Sequence, residues 1–499
     1  MAGSGTTSHV GAPELLLPHW DPAAPRRAQL EAGLRDSIRS GRLRPGVRLP
    51  SSRALGAELG VSRRLVVEAY EQLAAEGYVV SSQGSGTRVA PAVAEPPSSG
   101  DAAGAREAIA AVAAGAGGAS EATAEQARGA LPGTAAAIDL FPGAPDLSLF
   151  PRRAWGRAQR RALAELPDAR LGYGEFSGTA ELRDALAEHL GRVRAAAVEP
   201  GQVVVTAGYQ QGLRIFCHLL RGRGGRRIAI EDPGYPVAAW TIESEGLELV
   251  PVAVDEDGID VEALAAADPD AVVVTPAHSL PSGAVLAAER RLALVEWARE
   301  RRALVLEDDY DAELRYDHRG PAGTLQGLAP DVVVLAGSVS KTLAPALRLG
   351  WLCLPGDAVA AATIARGTFD GGGPRLEELA LADLIASGAF DRHVRAARVR
   401  YREKRAALLE AIEVALPGAR VRGIDAGLHV LLELPAGVEE AAVVADALAA
   451  GVRVQGLRDF TRAHPGPPAL VLGYGLPTVR ELREAVDVIA GACAAAEAA

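Results

Sequence analysis

Leu30, Leu34 and Ile38 recur at a spacing of four, which predicts a first helix with one apolar stripe, ended by Gly41, Pro45 and Gly46. Two short helices follow in LPSSRALGAELGVSRRLVVEAYEQLAAEGYV. Ser51 or Ser52 can cap the first, which runs to about Leu59 and stops at Gly60. Ser62 can cap the second, whose inner face is Val66, Ala69, Tyr70 and Leu73 and whose end is Gly77. A turn of about four residues between two such helices is helix-turn-helix spacing. Residues 78–81 and 87–90 can then pair as a hairpin around Gln83-Gly84-Ser85-Gly86. From Ile138 onward the pattern changes. Apolar runs at 227–230, 271–275, 303–306 and 332–336 predict buried parallel strands, with helical stretches such as Leu182, Leu186 and Leu190 between them. That alternation predicts an α/β domain with a mainly parallel sheet.

The pattern thus divides the chain into a flexible lead-in (1–23), a small α+β winged domain (24–90), a linker (91–137) and a large α/β domain (138–499). The linker is almost all Ala, Gly, Ser, Pro and Glu and has little to bury. Charge sharpens the division. The whole chain carries −11, but residues 1–90 hold 11 Arg and no Lys against 8 acidic residues, a net of +3. Only this segment suits nucleic acid. Arg53 falls on the first turn of one predicted helix, and Arg63 and Arg64 follow the capping Ser62 on the next. That helix end enters a major groove in helix-turn-helix proteins, and Arg can grip guanine bidentately or clamp phosphate. Arg88, on the hairpin, can reach a minor groove or the backbone. Against this stands the plainer reading that these Arg residues merely solvate helix surfaces. Three scattered cysteines predict neither a disulfide framework nor a metal site, and fit a reducing cytoplasm. Neither a signal peptide nor a membrane span is expected.

The large domain is marked by its lysine. Lys341 and Lys404 are the two lysines among 52 basic residues, so Arg serves wherever a positive charge suffices. A Schiff base is a task Arg cannot perform. Lys404, in YREKRAALLE, reads as an exposed helix residue. Lys341, in AGSVSKTLAPALRLGW, follows a strand and is flanked by Ser338, Ser340, Thr342 and Arg348, which suits a phosphate beside an imine. In ALVLEDDYDAE, Asp308 and Tyr310 emerge from a strand end, placed for the pyridine nitrogen and the 3-oxygen of a pyridoxal ring. The amides of Gly208, Tyr209 and Gln210 open a helix and offer an anion seat. Tyr235 follows a Pro-Gly turn, and Tyr173 lies in a loop before a helix. Taken alone, acid clusters at strand ends are more often loops or caps, and a turn tyrosine is more often packing.

In order along the chain, these segments resemble fold-type I aminotransferases over about residues 138–499, and residues 24–90 resemble the GntR-type winged helix. Together they resemble the MocR subfamily of GntR regulators. The resemblance implies pyridoxal 5'-phosphate on Lys341 as an internal aldimine, Asp308 on the pyridine nitrogen, Tyr310 on the 3-oxygen and Tyr235 stacked on the ring. It implies a phosphate cup of Gly208, Tyr209, Gln210, Ser338, Ser340 and Arg348, with Tyr173 reaching the phosphate of a partner subunit in a homodimer. Two departures stand out. Leu280, in His278-Ser279-Leu280-Pro281-Ser282-Gly283, occupies the place of the Asn that bonds the 3-oxygen, with His278 as a partial replacement. Leu470, Val471 and Leu472 are apolar where a substrate-carboxylate Arg is expected, and Arg453, Arg458 or Arg462 would have to reach in instead.

The resulting expectation is a cytoplasmic transcriptional regulator that binds a double-stranded DNA operator and senses pyridoxal phosphate or an amino compound through its aldimine. The alternatives are an active aminotransferase with a DNA-binding appendage, and a cofactor-free domain that only dimerises.

Overall fold

In the computed structural model the described residues are 26–39, 42–44, 46–75, 79–82, 86–89, 137–316 and 323–498. The lead-in 1–23, the linker up to residue 136, the hairpin tip 83–85, and Gly41, Pro45, Gly77 and Tyr78 lie outside them. The chain divides into two compact units, each taken by itself below.

The first unit holds α1 (Arg26–Arg39), α2 (Ser52–Leu59), α3 (Arg63–Ala75) and an antiparallel pair, β1 (Val79–Ser82) with β2 (Gly86–Val89). Leu30, Leu34 and Ile38 meet Leu55, Val66, Ala69, Tyr70 and Leu73 in one core, closed by Val79 and Val89. The Ser51 side chain accepts the Ala54 amide and the Ser62 side chain accepts the Leu65 amide, each at 3.2 Å. Gly60 ends α2 in the left-handed region at φ 65. The strands differ from the expected ranges by one residue. β2 is also bonded on its other edge, where the Leu49 amide reaches the Thr87 carbonyl and the Val89 amide the Val47 carbonyl.

The second unit is built on an eight-stranded sheet. Its strands are β4 (Val203–Thr206), β5 (Arg227–Asp232), β6 (Glu248–Asp255), β7 (Gly258–Ile259), β8 (Ala271–Val274), β9 (Leu304–Asp309), β10 (Val333–Ser338) and β11 (Gly350–Cys353). The order is β4-β11-β10-β9-β8-β5-β6-β7. β6, β5, β8, β9 and β10 run parallel, while β11 and β4 pair antiparallel at one edge. The sheet interior is continuous Val, Ile, Leu and Ala because helices cover both faces. One face packs Leu213, Phe216 and Ile242. The other packs Leu186 and Leu190 at one end and Leu294 and Trp297 at the other. A smaller antiparallel sheet joins β12 (Val421–Arg422), β13 (His429–Glu433), β16 (Ala469–Gly473) and β15 (Gln455–Gly456). It packs one face on the helices Ala389–Ala415 and Val479–Ala498. A separate parallel pair ties β3 (Ile138–Asp139) to β14 (Val452–Arg453). No described helix is long and apolar enough to cross a membrane.

Lys404 corrects the exposed-helix expectation. It is 1% exposed, and its ammonium donates to the Asp146 carboxylate at 2.7 Å and to the Gly475 carbonyl at 2.6 Å. Val394, Ala397, Tyr401, Lys404, Leu408 and Ile412 form one buried stripe of the same helix. A compact ammonium fits between these two acceptors, and a planar guanidinium would not. Lys404→Met should therefore strand a buried carboxylate and cost about 3–5 kcal/mol, read as a lower urea midpoint, with much of the loss recovered by adding Asp146→Asn.

Candidate functional site

The carboxyl ends of five strands converge. β9 delivers Glu307, Asp308 and Asp309, and strand alternation sorts them. Glu307 is buried, accepts the Leu325 and Gln326 amides at 3.0 Å, and is pushed up to about 7 by burial. Asp309 grips the buried Arg194 at 2.8 and 3.0 Å. Asp308 points the other way, toward Tyr209 and Lys341. Burial pushes its carboxyl well above the usual range, against the pull of the Tyr209 phenol and the Lys341 amine. Such a carboxyl gains from a fixed cation.

Lys341 follows β10 in a tight turn. Burial lowers its amine, while Asp311 and Asp308 raise it. Gly143, at φ +76, brings its backbone so close that an added Cβ would lie 3.4 Å from the Lys341 Nζ. Tyr235 caps the helix Pro236–Ser244 after β5 and stays 36% exposed, its ring 6.4 Å from that of Tyr209.

The anion seat lies after β4. Gly208 has φ +87, and a Cβ there would stand 3.5 Å from the Arg348 guanidinium, so the backbone and Arg348 face one small space. Tyr209 and Gln210 begin the helix Tyr209–Gly222. The Gln210 side chain is engaged elsewhere, accepting the Thr241 hydroxyl at 2.6 Å. The Ser340 amide donates to the Ser338 hydroxyl at 3.4 Å. A helix start, two serines and an Arg form a seat suited to a dianionic phosphate. Tyr173 stands apart from these groups. It is 100% exposed, on a cavity of about 1030 Å³ that Arg375 and Gly371–Gly373 also line.

A further group of buried polar side chains gathers around His278. His278 is buried, with Nδ1 2.9 Å from the Asp311 carboxylate and 3.4 Å from the Tyr310 hydroxyl. Its ring lies against that of His429 of β13, with centroids 4.7 Å apart and planes tilted by 37°. Burial holds Tyr310 well above its ordinary range, with Asp311 and Asp308 adding to it, so the phenol keeps its proton. Asp311 and His429 were not among the expected site residues. Gly427 makes the arrangement fit, since a Cβ there would meet the His278 ring at 2.2 Å and the Asp311 carboxylate at 2.5 Å.

Leu280 and Val471 belong to one apolar cluster with Leu431, Leu457, Phe460 and Ala469. Two of the three loop arginines are engaged elsewhere. Arg453 meets Asp139 at 3.3 Å and lies over the Phe141 ring at 4.8 Å. Arg462 bonds Glu243 at 2.7 and 3.1 Å, and Arg458 is exposed. The loop itself is fixed by Asp232, whose carboxylate accepts the amides of Arg462, Ala463 and His464 at 2.7–2.8 Å.

On the first unit Arg53, Arg63 and Arg64 are exposed, with Arg64 held by Glu68 at 2.8 Å. Ser62 is occupied as a cap. Arg88 is partly turned inward, donating to the Gly46 carbonyl at 3.1 Å.

A winged helix joined to an aminotransferase-type fold defines a class of DNA-binding regulators whose large domain is similar to pyridoxal-phosphate enzymes. The family "Aminotransferase class I and II", which is pyridoxal-phosphate dependent, matches residues 138–489, and "Bacterial regulatory proteins, gntR family" matches residues 26–89. The chain is 34% identical to the HTH-type pyridoxine biosynthesis transcriptional regulator PdxR of Corynebacterium glutamicum, over 93% of this chain and 94% of that one. It is 32% identical to the probable rhizopine catabolism regulatory protein MocR of Rhizobium meliloti, over 96% and 95%. The solved α-aminoadipate aminotransferase LysN of Thermus thermophilus, complexed with N-(5'-phosphopyridoxyl)-L-leucine, is similar with a TM-score of 0.67 and 27% identity. The likeness covers 77% of this chain and 97% of that one. The chain belongs to the MocR-type subfamily of GntR transcriptional regulators.

Proposed function

We propose that this regulator holds pyridoxal 5'-phosphate on Lys341 and couples its presence, or its exchange with an amino compound, to binding of double-stranded operator DNA by the winged helix. The observation that carries the reading is the convergence of Lys341, Asp308 and the Gly208–Arg348 seat at one set of strand ends. When bound, the cofactor supplies an aldehyde that condenses with a primary amine. Asp308, raised by burial, would retain a proton or a protonated nitrogen against it. The Gly208 amide, Ser338, Ser340 and Arg348 would hold the phosphate, Tyr310 would donate to the 3-oxygen, and Tyr235 would lie on the ring. Tyr173, fully exposed beside its cavity, would serve the site of a second copy, so the working unit is a homodimer. Arg53, Arg63, Arg64 and Arg88 would face DNA, and residues 91–137 would tether the domains of a cytoplasmic protein.

The apolar cluster at Leu280 and Val471 disfavours steady transamination of amino acids, because it offers no charge for a carboxylate. The name of the C. glutamicum relative points the effector toward the cofactor itself. A label-free titration of operator DNA with and without pyridoxal phosphate tests the reading. Coupling of this kind changes affinity by about 5- to 150-fold. Identical affinities and identical DNA geometries in the two titrations would refute it.

A further inference from the structure

We infer that Arg48, which lies outside the helix-turn-helix and its hairpin, supplies the wing with its main contact to the DNA backbone by gripping a phosphate beside Gly86. The inference rests on the DNA-binding part of the reading above and is independent of the cofactor.

Arg48 and Arg88 stand directly opposite each other where residues 46–49 pair with β2. The Leu49 amide bonds the Thr87 carbonyl at 2.9 Å on one side of them, and the Val89 amide bonds the Val47 carbonyl at 3.0 Å on the other. This is the non-hydrogen-bonded kind of antiparallel pair, in which facing side chains start closest together. Two like charges in such a pair repel. The two heads accordingly part along the strands. Arg88 leans back and donates to the Gly46 carbonyl at 3.1 Å. Arg48 leans the other way and lies on Gly86, where an added Cβ would stand 2.9 Å from its Nε and 3.0 Å from its Nη2. Gly86 is the first residue of β2 after the hairpin turn, so the cation carried to that end of the wing comes from residue 48.

Arg48 is also unspent. In the first unit Arg27 and Arg64 are held by acids, Arg42 by Ser37 and Arg88 by Gly46. Arg48 has no hydrogen-bond acceptor and no ion-pair partner among the described residues, a condition it shares with Arg44, Arg53 and Arg63. A guanidinium keeps its charge and presents several donors in one plane, a fork that fits two oxygens of a phosphate. The head lies flat against the Gly86 backbone and does not project from the wing. Held so, it can meet an outward-facing phosphate and cannot reach base edges on a groove floor.

The test uses the full-length protein and two duplexes, one carrying the operator and one of scrambled sequence, titrated by fluorescence anisotropy over a salt series. Arg48→Gln should weaken binding to both duplexes by the same factor and reduce the slope of log affinity against log salt by about 0.9. Arg48→Lys, which keeps the charge, should recover most of that slope, and Arg88→Gln should reduce it less than Arg48→Gln does. Single neutral methylphosphonates scanned along each strand should reveal one position that weakens the wild type and leaves Arg48→Gln unaffected. Because Arg48 faces a like charge, its replacement by Gln should not lower the thermal midpoint. An unchanged salt slope in Arg48→Gln would overturn the inference. A loss confined to the operator would also do so, by making Arg48 a reader of bases. So would a lowered midpoint with no recovery in Arg48→Lys, which marks a structural role, or tighter binding in Arg48→Gln, which places an acidic segment of this chain on Arg48. A wild type that binds neither duplex removes the DNA-binding reading and this inference together. A wild type that binds both, with Arg48→Gln indistinguishable from it, removes this inference alone.

Discussion

Lys341→Ala should abolish the visible absorbance that pyridoxal phosphate acquires on the protein and flatten the response of operator binding to the cofactor. The side chain is the one amine in the site, and neither serine beside it offers a nitrogen that can condense with an aldehyde. Its loss also removes a cation that lowers the Asp308 carboxyl, so Asp308 should take up a proton more readily. The winged helix is a separate compact unit and should still bind DNA. The expected result is thus a decoupled protein, with operator affinities in the presence and absence of cofactor converging from a difference of about 5- to 150-fold to none. A Lys341→Ala protein that keeps the full difference would place the sensing elsewhere.

Replacing both Arg63 and Arg64 with Ala should nearly eliminate operator binding while leaving the fold intact. Both side chains lie on the exposed first turn of α3, outside the core of Leu30, Val66 and Leu73. An Arg that reads a base edge contributes about 1–3 kcal/mol, so losing two costs about 2–6 kcal/mol if both read bases. Salt dependence separates the roles, because each phosphate contact removed should reduce the slope of log affinity against log salt by about 0.9. Arg64 starts from a disadvantage, being bonded to Glu68 at 2.8 Å. That surface pair is screened by solvent and worth little, so its rupture should barely offset what a DNA contact contributes. Gel-shift or anisotropy titrations on operator and scrambled duplexes, at two salt concentrations, measure all of this. Unaltered operator affinity in the double variant would remove α3 from the interface.

The helices of the first unit were legible because their signals are local. The spacing of Leu30, Leu34 and Ile38, the caps Ser51 and Ser62, and Gly60 each act within a turn or two. The extra pairing of β2 with residues 46–49 was not legible, since three alternating residues, Val47, Arg48 and Leu49, are too short a run to mark a strand, and the backbone bonds that choose the partner leave no trace in the sequence. In the large domain, apolar runs located the strands but stopped short of their ends. β9 and β10 continue into the acids and serines that form the site, so polar residues concealed the last residues of each strand. The sorting of Glu307, Asp308 and Asp309 follows from period-two alternation, which the sequence contains. Lys404 was also within reach, because it sits in register with Ala397, Tyr401 and Leu408. The expectation that a lysine faces solvent outweighed the periodicity. Asp311, in the turn beyond β9, and His429, on β13 of the smaller sheet, lie 118 positions apart, and nothing local joins them.

The apolar cluster around Leu280 and Val471 has a consequence for how such a protein can change. An arginine placed at 471 would push a cation among Leu431, Leu457 and Phe460, at a position with 0% exposure and no acid beside it in the cluster. An asparagine placed at 280 would turn an amide toward the same hydrocarbon. A seat for a charged substrate end therefore cannot be introduced here by one substitution without a cost in stability.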